Sequence, residues 1–358
     1  MIEIFFGNIA SIVYKVVAYL FMWYNKIMDI DDFDNADEYA QRMIAEKKLL
    51  NPRVDSTFKA LFTQPTPESQ GALKSFLEAV TEKPITNIQL KTSSAIIEYF
   101  GQRDVNYDIL CTFDDGQQAN IEMQAFKQKY DYGQRAEYHV ARVLSTGMKR
   151  GFLWQKVSQA YQISVLDFVY DTSCSDIVSR YAMRTKDGRE LKGVQNIVFI
   201  ELPKISKKEA DFEKNTALEN WAIFLKDADN PTKKELINNL ANKEAGLMQA
   251  KQSLSTISSD HDMWLTQFRQ EIAERDYLSN LYAIEEEKKQ AIAKGRLEGL
   301  EEGRVEGLEE GRKEGFAKGA NRVLSLNNLL ISQNRFDDLK RASVDSEYLN
   351  TLFKEFNL

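Results

Sequence analysis

The stretch Val105-Asn106-Tyr107-Asp108-Ile109-Leu110-Cys111-Thr112-Phe113, followed by Asp114-Asp115-Gly116 and then by Gln117 to Phe126, decides the fold. Two runs rich in β-branched and aromatic residues, split by a short Asp/Gly turn, read as a β-hairpin. Loop length then decides which side chains face each other. A two-residue Asp115-Gly116 loop sets Asp108 opposite Met123 and turns Glu122 to the other face. A three-residue Asp114-Asp115-Gly116 loop sets Asp108 opposite Glu122. A type I turn closed by a left-handed residue suits the longer loop, because Gly116 takes positive φ without strain, and this is the register we expect. Directly opposed residues have Cβ atoms about 5 Å apart, so both carboxylates would reach one Mg²⁺ or Mn²⁺. Side chains alternate along a strand: Asn120, Glu122 and Gln124 share one face, while Ile121 and Met123 point into the core. Glu122 and Gln124 are polar residues in an otherwise apolar strand, and such residues need a partner or a job.

Working outward, Ala36 to Leu50 reads as an amphipathic helix broken by Pro52. Asp55, Lys59 and Phe62 then fall on one side of a new helical turn, which Pro65 and Pro67 end. Ser69 to Glu82 carries Leu73, Phe76, Leu77 and Val80 at helical spacing, and Pro84 stops it. Ile85 to Phe100 reads as strand, Tyr132 to Lys149 as helix, and Val157 to Phe168 as strand, with Tyr161, Ile163 and Val165 alternating against Gln162 and Ser164. Asn196 to Leu202 is a further short strand. The order predicts an α/β unit with a mixed central sheet flanked by helices. Beyond Pro203 the pattern is helical and charge-rich.

The chain has 358 residues and 43% apolar content, enough for one sizeable core and a second region. Two cysteines, Cys111 and Cys174, make no disulfide framework and suit a reducing cytosol. Two histidines, His139 and His261, are too few for a histidine-rich zinc site. The net charge of −7 is not the footprint of a strongly basic nucleic-acid binder. Between Asn51 and Lys156, however, thirteen Lys/Arg balance twelve Asp/Glu, which leaves room for a phosphate-binding face.

Both ends are unusual. Ile2 to Tyr24 is apolar and aromatic, but Lys15 near its centre would cost a membrane span roughly 3 kcal/mol. Three readings stand there: an over-called start with Met28 as the first residue, a membrane-associated helix, or a packed helix. Membrane contact of residues 1–24 is possible but not the favoured reading, which is an over-called start or a disordered extension. In the tail, glycine recurs every four residues from Gly295 to Gly319, with Arg296, Arg304 and Arg312 every eight and glutamates between. In a helix this makes a stripe that drifts by about 40° per step, and each glycine costs roughly 1 kcal/mol against alanine. A solvated helix supported by Glu–Arg pairs and a homo-oligomer joined through the glycine stripe are both open. The segments expected are 1–28 (extension), 36–205 (α/β domain), 206–290 (helical region), 291–320 (repeat helix) and 321–358 (helical tail).

Asp55-x-x-Phe58-Lys59-x-x-Phe62, Asp108, Ile121-Glu122-Met123-Gln124, Arg135-x-x-Tyr138-x-x-x-Arg142 and Phe199-Ile200-Glu201-Leu202-Pro203-Lys204 occur in that order. Together they resemble the recombination-promoting nuclease/putative transposase family, a branch of the PD-(D/E)xK nucleases. The resemblance covers Asn51 to Trp221, and a Gly-Arg-Glu tail is common in such proteins. It implies a restriction-endonuclease-like core, Mg²⁺-dependent (or Mn²⁺-dependent) DNA cleavage linked to recombination or mobile elements, and a bacterial cytoplasmic setting. On this resemblance Asp108, Glu122 and the Met123 carbonyl would bind the metal. Gln124 stands where the wider superfamily has lysine, although glutamine is usual in this branch. It could orient water or phosphate but brings no positive charge. Lys59 or Lys127 would have to supply that, and each also reads as an ordinary surface lysine. Asp55 is either a further acid of the site or a helix cap. Gln134, Arg135, Tyr138 and Arg142, on neighbouring faces of one helix, are the candidate nucleic-acid contacts, and His139 reads as a satisfied histidine rather than a ligand or base. Glu201 is a sheet-end acid beside the site or a structural one. A catalytically inactive nuclease-fold scaffold that binds DNA or self-associates fits the same residues.

Overall fold

A computed structural model describes residues 35–91, 106–114, 116–128, 130–146 and 153–358. The apolar N-terminal stretch and the expected strand residues Ile96 and Ile97 lie outside them. Three helices come first: α1 (Ala36–Ala45), α2 (Asp55–Thr63) and α3 (Pro67–Thr81). The side chain of Asn35 caps α1 and that of Thr66 caps α3, whose first residue is Pro67. A six-stranded sheet follows, from β1 (Ile88–Leu90), β2 (Ile109–Phe113), β3 (Gln117–Gln124), β4 (Ala160–Leu166), β5 (Val178–Tyr181) and β6 (Gln195–Glu201). Helix α4 (Tyr132–Thr146) joins β3 to β4. The strand order is β1-β2-β3-β4-β6-β5, with β3-β4 and β4-β6 parallel and the other pairs antiparallel, so the sheet is mixed as expected. β5 is an edge strand that the sequence pattern does not announce. Val178-Ser179-Arg180-Tyr181 is short and only half apolar, and it becomes a strand by pairing with β6.

The hairpin has the longer loop. Its ladder runs from Phe113↔Gln117 to Ile109↔Ile121, which leaves a three-residue loop that holds Asp114 and Gly116. Gly116 takes φ +80° as the register requires, but Asp114 is also left-handed at φ +41°. The Asp114 carboxylate supports that conformation by accepting from Thr86 N (3.0 Å), Thr86 Oγ1 (2.6 Å) and Asn87 N (3.1 Å). The turn is therefore tied to the segment entering β1 instead of closing as a simple type I turn.

The two sheet faces differ in chemistry. One carries Ile109, Cys111, Phe113, Ile121, Met123, Ile163, Val165 and Ile200 into the main core, against Phe58, Phe62, Phe76 and the following helices. α4 covers the other face, where Ala136, Val140 and Val143 pack on it. The helices after residue 206, α5 (Ala217–Asp227), α6 (Lys234–Lys243) and α7 (Ala245–Ile257), fold into the same core through Trp221, Leu240 and Leu247. Packing does not break at residue 206, and the first compact unit runs to Arg275. Neither Cys111 nor Cys174 is bridged.

Helix α8 (His261–Ser332) contains the glycine repeat. A Cβ built on any glycine from Gly295 to Gly319 meets nothing within 4 Å among the described residues, so the stripe packs on none of them. The second compact unit, Asp276–Leu358, holds a small core of Leu326, Leu330, Leu352 and Phe353, made with α9 (Phe336–Ala342) and α10 (Ser346–Glu355). No helix among the described residues is long and apolar enough to cross a membrane.

Phe62 is fully buried, with ring centroids 5.2 Å from Phe58, 5.4 Å from Phe76 and 5.8 Å from Trp221. Phe62→Ala should cost the first unit about 3–5 kcal/mol, read as a lower midpoint in guanidinium unfolding. Gly303→Ala, with open space around it, should instead raise helicity by circular dichroism.

Candidate active site

Asp108 sits one residue before β2, in a bend. Because it has left the strand, strict alternation no longer fixes where its side chain points. Its Oδ2 accepts from Met123 N at 3.1 Å, taking the place of the ladder bond that β2 is too short to supply. Its Oδ1 lies 3.3 Å from Lys59 Nζ, and Lys59 is also paired with Asp55 Oδ2 at 2.8 Å. Lys59 and Asp55 come from α2, one turn apart. Asp55 does not cap that helix: Val54 holds the cap position, and the Asp55 carboxylate turns to Lys59.

Glu122 is in a different environment. It is wholly buried on the α4 face, and both its oxygens are occupied. Oε1 lies 2.8 Å from His139 Nδ1 and 3.4 Å from the Arg135 guanidinium. Oε2 accepts from the Tyr132 hydroxyl at 2.9 Å and from Gln162 Nε2 at 3.4 Å. Gln162 in turn accepts from Asn120 Nδ2 at 2.8 Å and donates to Ser164 Oγ at 3.1 Å. The expectation that Asp108 and Glu122 would share one sheet face is thus corrected. The register places them side by side at the end of the hairpin, but the two carboxylates draw their partners from different layers, α2 for Asp108 and α4 for Glu122.

Their protonation follows from those surroundings. Burial pushes the Asp108 carboxyl up to about 7; Asp55 and Glu122 add to the rise, while Lys59 and the Met123 N–H oppose it. Burial also pushes Glu122 up, but there His139, Arg135 and Tyr132 outweigh it and hold the carboxyl below its ordinary value. Lys59 loses basicity to burial and regains more from Asp55 and Asp108, so its ammonium is held above the usual value and keeps its proton at neutral pH.

The remaining expected residues divide by helix face. In α4, Tyr132, Arg135, His139 and Arg142 recur every three or four residues and turn toward the sheet. Arg142 is only 7% exposed and stands close enough to Tyr107 to work against the burial that pushes that hydroxyl up to about 12. As placed, it presents no charge to an external phosphate. Gln134 and Tyr138 lie on the opposite, exposed side of α4. Arg135 is intermediate, shared between Glu122 and the Tyr130 hydroxyl. Gln124 ends β3 half-buried, and its side chain makes no hydrogen bond among the described residues. Lys127 is exposed and stands away from the Asp108 pair, so Lys59 is the lysine brought to the acids. Glu201, fully buried, pairs with Lys204 at 2.7 Å and accepts from Tyr170 N at 2.7 Å.

The residues that sequence reasoning left out are Tyr132, Gln162 and Ser164; His139 Nδ1 stands 2.8 Å from Glu122 Oε1. The alternation of Gln162 and Ser164 in β4 was the available signal, because two polar residues in the central strand of a mixed sheet need partners.

No cluster of three or more Asp, Glu, His or Cys side chains among the described residues is arranged around a common point. What fits a divalent cation is a smaller set of hard oxygen donors. Asp108 is the under-compensated acid, with two neighbouring carboxylates raising its affinity for positive charge. The Met123 carbonyl points to the same edge as its N–H, beyond the last β2 pair. Glu122 would enter the shell only by giving up donors from α4.

An α/β core with a mixed sheet, carrying paired acids at the end of its central hairpin, is the architecture of a restriction-endonuclease-like enzyme. A family model described as PD-(D/E)XK nuclease family transposase matches residues 52–283, and the chain belongs to that family. No curated protein and no solved structure matches the chain. Enzymes of the family generally use a divalent metal, and the membership indicates a nuclease or transposase with DNA as substrate.

Asp108 gives a pH test with a definite sign. Its folded pKa of about 7 lies above its unfolded value, so between roughly pH 4 and 7 the metal-free folded state holds a proton that the unfolded state has lost. Its contribution to stability therefore falls as pH rises through that window. Asp108→Asn should gain thermal stability relative to wild type at pH 8 in EDTA and gain little at pH 5, measured by thermal unfolding at both.

Proposed function

We propose that this chain is a Mg²⁺- or Mn²⁺-dependent DNA endonuclease that hydrolyses phosphodiester bonds, acting in recombination or on mobile elements. The observation that carries the reading is Asp108. Its carboxylate is pinned to the Met123 N–H across the hairpin and flanked by Lys59, Asp55 and Glu122, and its raised pKa marks a site short of positive charge.

Asp108, the Met123 carbonyl and Glu122 are the residues that would hold the metal. Once bound, the ion supplies a more acidic water and neutralises charge on the phosphoryl oxygens. The chain's own residues do the rest. Lys59, kept protonated by its two acids, provides the fixed positive charge that Gln124 cannot, and it acts as an electrostatic stabiliser rather than a base. Asp55 orients Lys59. The Met123 N–H orients Asp108. Gln124 orients water or phosphate, Gln134 and Tyr138 meet the DNA on the open side of α4, and Arg135 meets it from the edge of the sheet-facing stripe. A cytoplasmic setting belongs to the same proposal and is supported by two unbridged cysteines. So does self-association through the glycine stripe, supported by the open space around it.

A second reading, a nuclease-fold scaffold without catalysis, draws on Glu122, whose oxygens already accept from Tyr132, Arg135 and Gln162, with His139 Nδ1 at 2.8 Å. One experiment separates the two. Supercoiled plasmid should be nicked by wild type with Mg²⁺ or Mn²⁺ and left intact in EDTA. Asp108→Ala and Glu122→Gln should abolish nicking with unchanged circular dichroism, and Lys59→Ala should slow it on the order of 10²-fold. Cleavage that survives in Asp108→Ala refutes the site; a wild type that nicks with no metal tried and binds none by calorimetry is the scaffold.

A further inference from the structure

Beyond the C-terminal ends of β3 and β4 the chain opens a cleft of about 450 Å³, within the roughly 300–1,000 Å³ typical of small-ligand sites. Aromatic side chains make up half of its lining. Tyr130 comes from the segment after β3, Phe168 and Tyr170 from the segment after β4, and Tyr132 from the start of α4. Tyr130 is 45% exposed, so its ring is open to a partner. The Tyr132 and Phe168 rings meet edge-on at 84°, 6.3 Å apart. The Tyr170 hydroxyl donates to Asp131 Oδ1 at 2.8 Å, which fixes that ring. Asp131 also accepts from Gly133 N at 2.9 Å, so its near oxygen is already engaged. Lys127, Gln128 and Asp171 complete the lining. The Lys127 ammonium has no ion-pair partner among the described residues, although it stands near enough to Asp131 to lower that carboxyl's pKa.

We propose that this cleft receives one unpaired nucleotide of the DNA, an inference that rests on the nuclease reading above. The exposed Tyr130 ring offers a face to a base, Gln128 offers an amide to its edge, and Lys127 offers a charge to its phosphate. A base inside an intact duplex is stacked on both faces and cannot use such a ring, so the site selects single strands, overhangs or extruded bases. The cleft also adjoins the acids directly. The ring of Tyr132 lines it while the hydroxyl of the same residue holds Glu122, so a base seated there is one side chain away from the candidate catalytic cluster.

The test uses the full chain carrying Asp108→Asn, so that DNA is not cut, and labelled oligonucleotides in EDTA read by fluorescence anisotropy. Three DNAs are compared: a single strand, a fully paired duplex, and the same duplex with one unpaired nucleotide. The unpaired nucleotide should tighten binding at least about fivefold over the paired duplex. Tyr130→Ala should remove that advantage and leave the paired duplex within about twofold, while Tyr130→Phe, which keeps the ring, should retain it. Because Tyr130 is exposed, the variants should fold, which circular dichroism checks. Equal affinity for all three DNAs, or a uniform loss in Tyr130→Ala, overturns the proposal. Plasmid nicking by the wild type without any preference for the unpaired nucleotide overturns the cleft alone. Absence of both nicking and DNA binding overturns the nuclease reading, and the cleft's role with it.

Discussion

The burial of Glu122 is the constraint around which the second face of the sheet is built. An ionised carboxylate with no exposed surface is costly unless donors replace the water it has lost. Here they arrive from two elements. α4 supplies Tyr132, Arg135 and His139, spaced so that one helical stripe presents all three. β4 supplies Gln162, which Ser164 and Asn120 complete. A helix laid on a sheet would ordinarily bury an apolar stripe. α4 does so only in part, through Ala136, Val140 and Val143, and gives the remaining positions to the carboxylate. The layer between α4 and the sheet is thus half hydrophobic packing and half hydrogen-bonded network, and removing one partner would leave a buried charge short of a donor.

Asp108, at the same end of the same hairpin, is in the opposite electrostatic state. Glu122 is over-supplied with donors and held ionised; Asp108 is under-supplied and pushed toward protonation. The difference comes from local geometry. Glu122 is inside β3, so its direction is fixed by the pleat. Asp108 lies just outside β2 and folds back onto the Met123 amide, which brings it to the α2 side, where Lys59 is its ammonium partner and Asp55 competes for that same lysine. Two acids whose environments drive their pKa values apart are the arrangement expected where one carboxylate holds position and the other exchanges its counter-charge.

How far the sequence speaks for this site depends on which physical signal each part uses. The hairpin register was legible because two local rules agree: a period of two in the strands, and a loop whose Gly116 must be left-handed. The helices around α2 and α3 were legible from spacing and from Pro67 and Pro84. Lys59 was legible as a candidate only through the family resemblance, since a lysine four residues after an aspartate is otherwise an ordinary helix pair. β5 was not legible, because a short, half-polar edge strand owes its form to the neighbour it pairs with. Nor was the direction of the Asp108 carboxylate, because the alternation rule stops where the strand does.

Arg142 shows the limit most clearly. Periodicity groups Arg135, His139 and Arg142 on one stripe of α4, and that grouping is what the structure has. It does not say whether the stripe faces solvent or a sheet whose own face is polar. Arginines on a helix usually mark its wet side, and that inference fails when the surface beneath contains a carboxylate and tyrosine hydroxyls. The correct reading needs both partners at once: the polar alternation of Asn120, Glu122, Gln162 and Ser164 in the central strands, and a basic stripe on the helix that crosses over them. Each pattern is weak alone. Together they predict a buried network, because a parallel β-α-β crossover lays its helix on the sheet, and polar residues on both inner surfaces have only each other to bind.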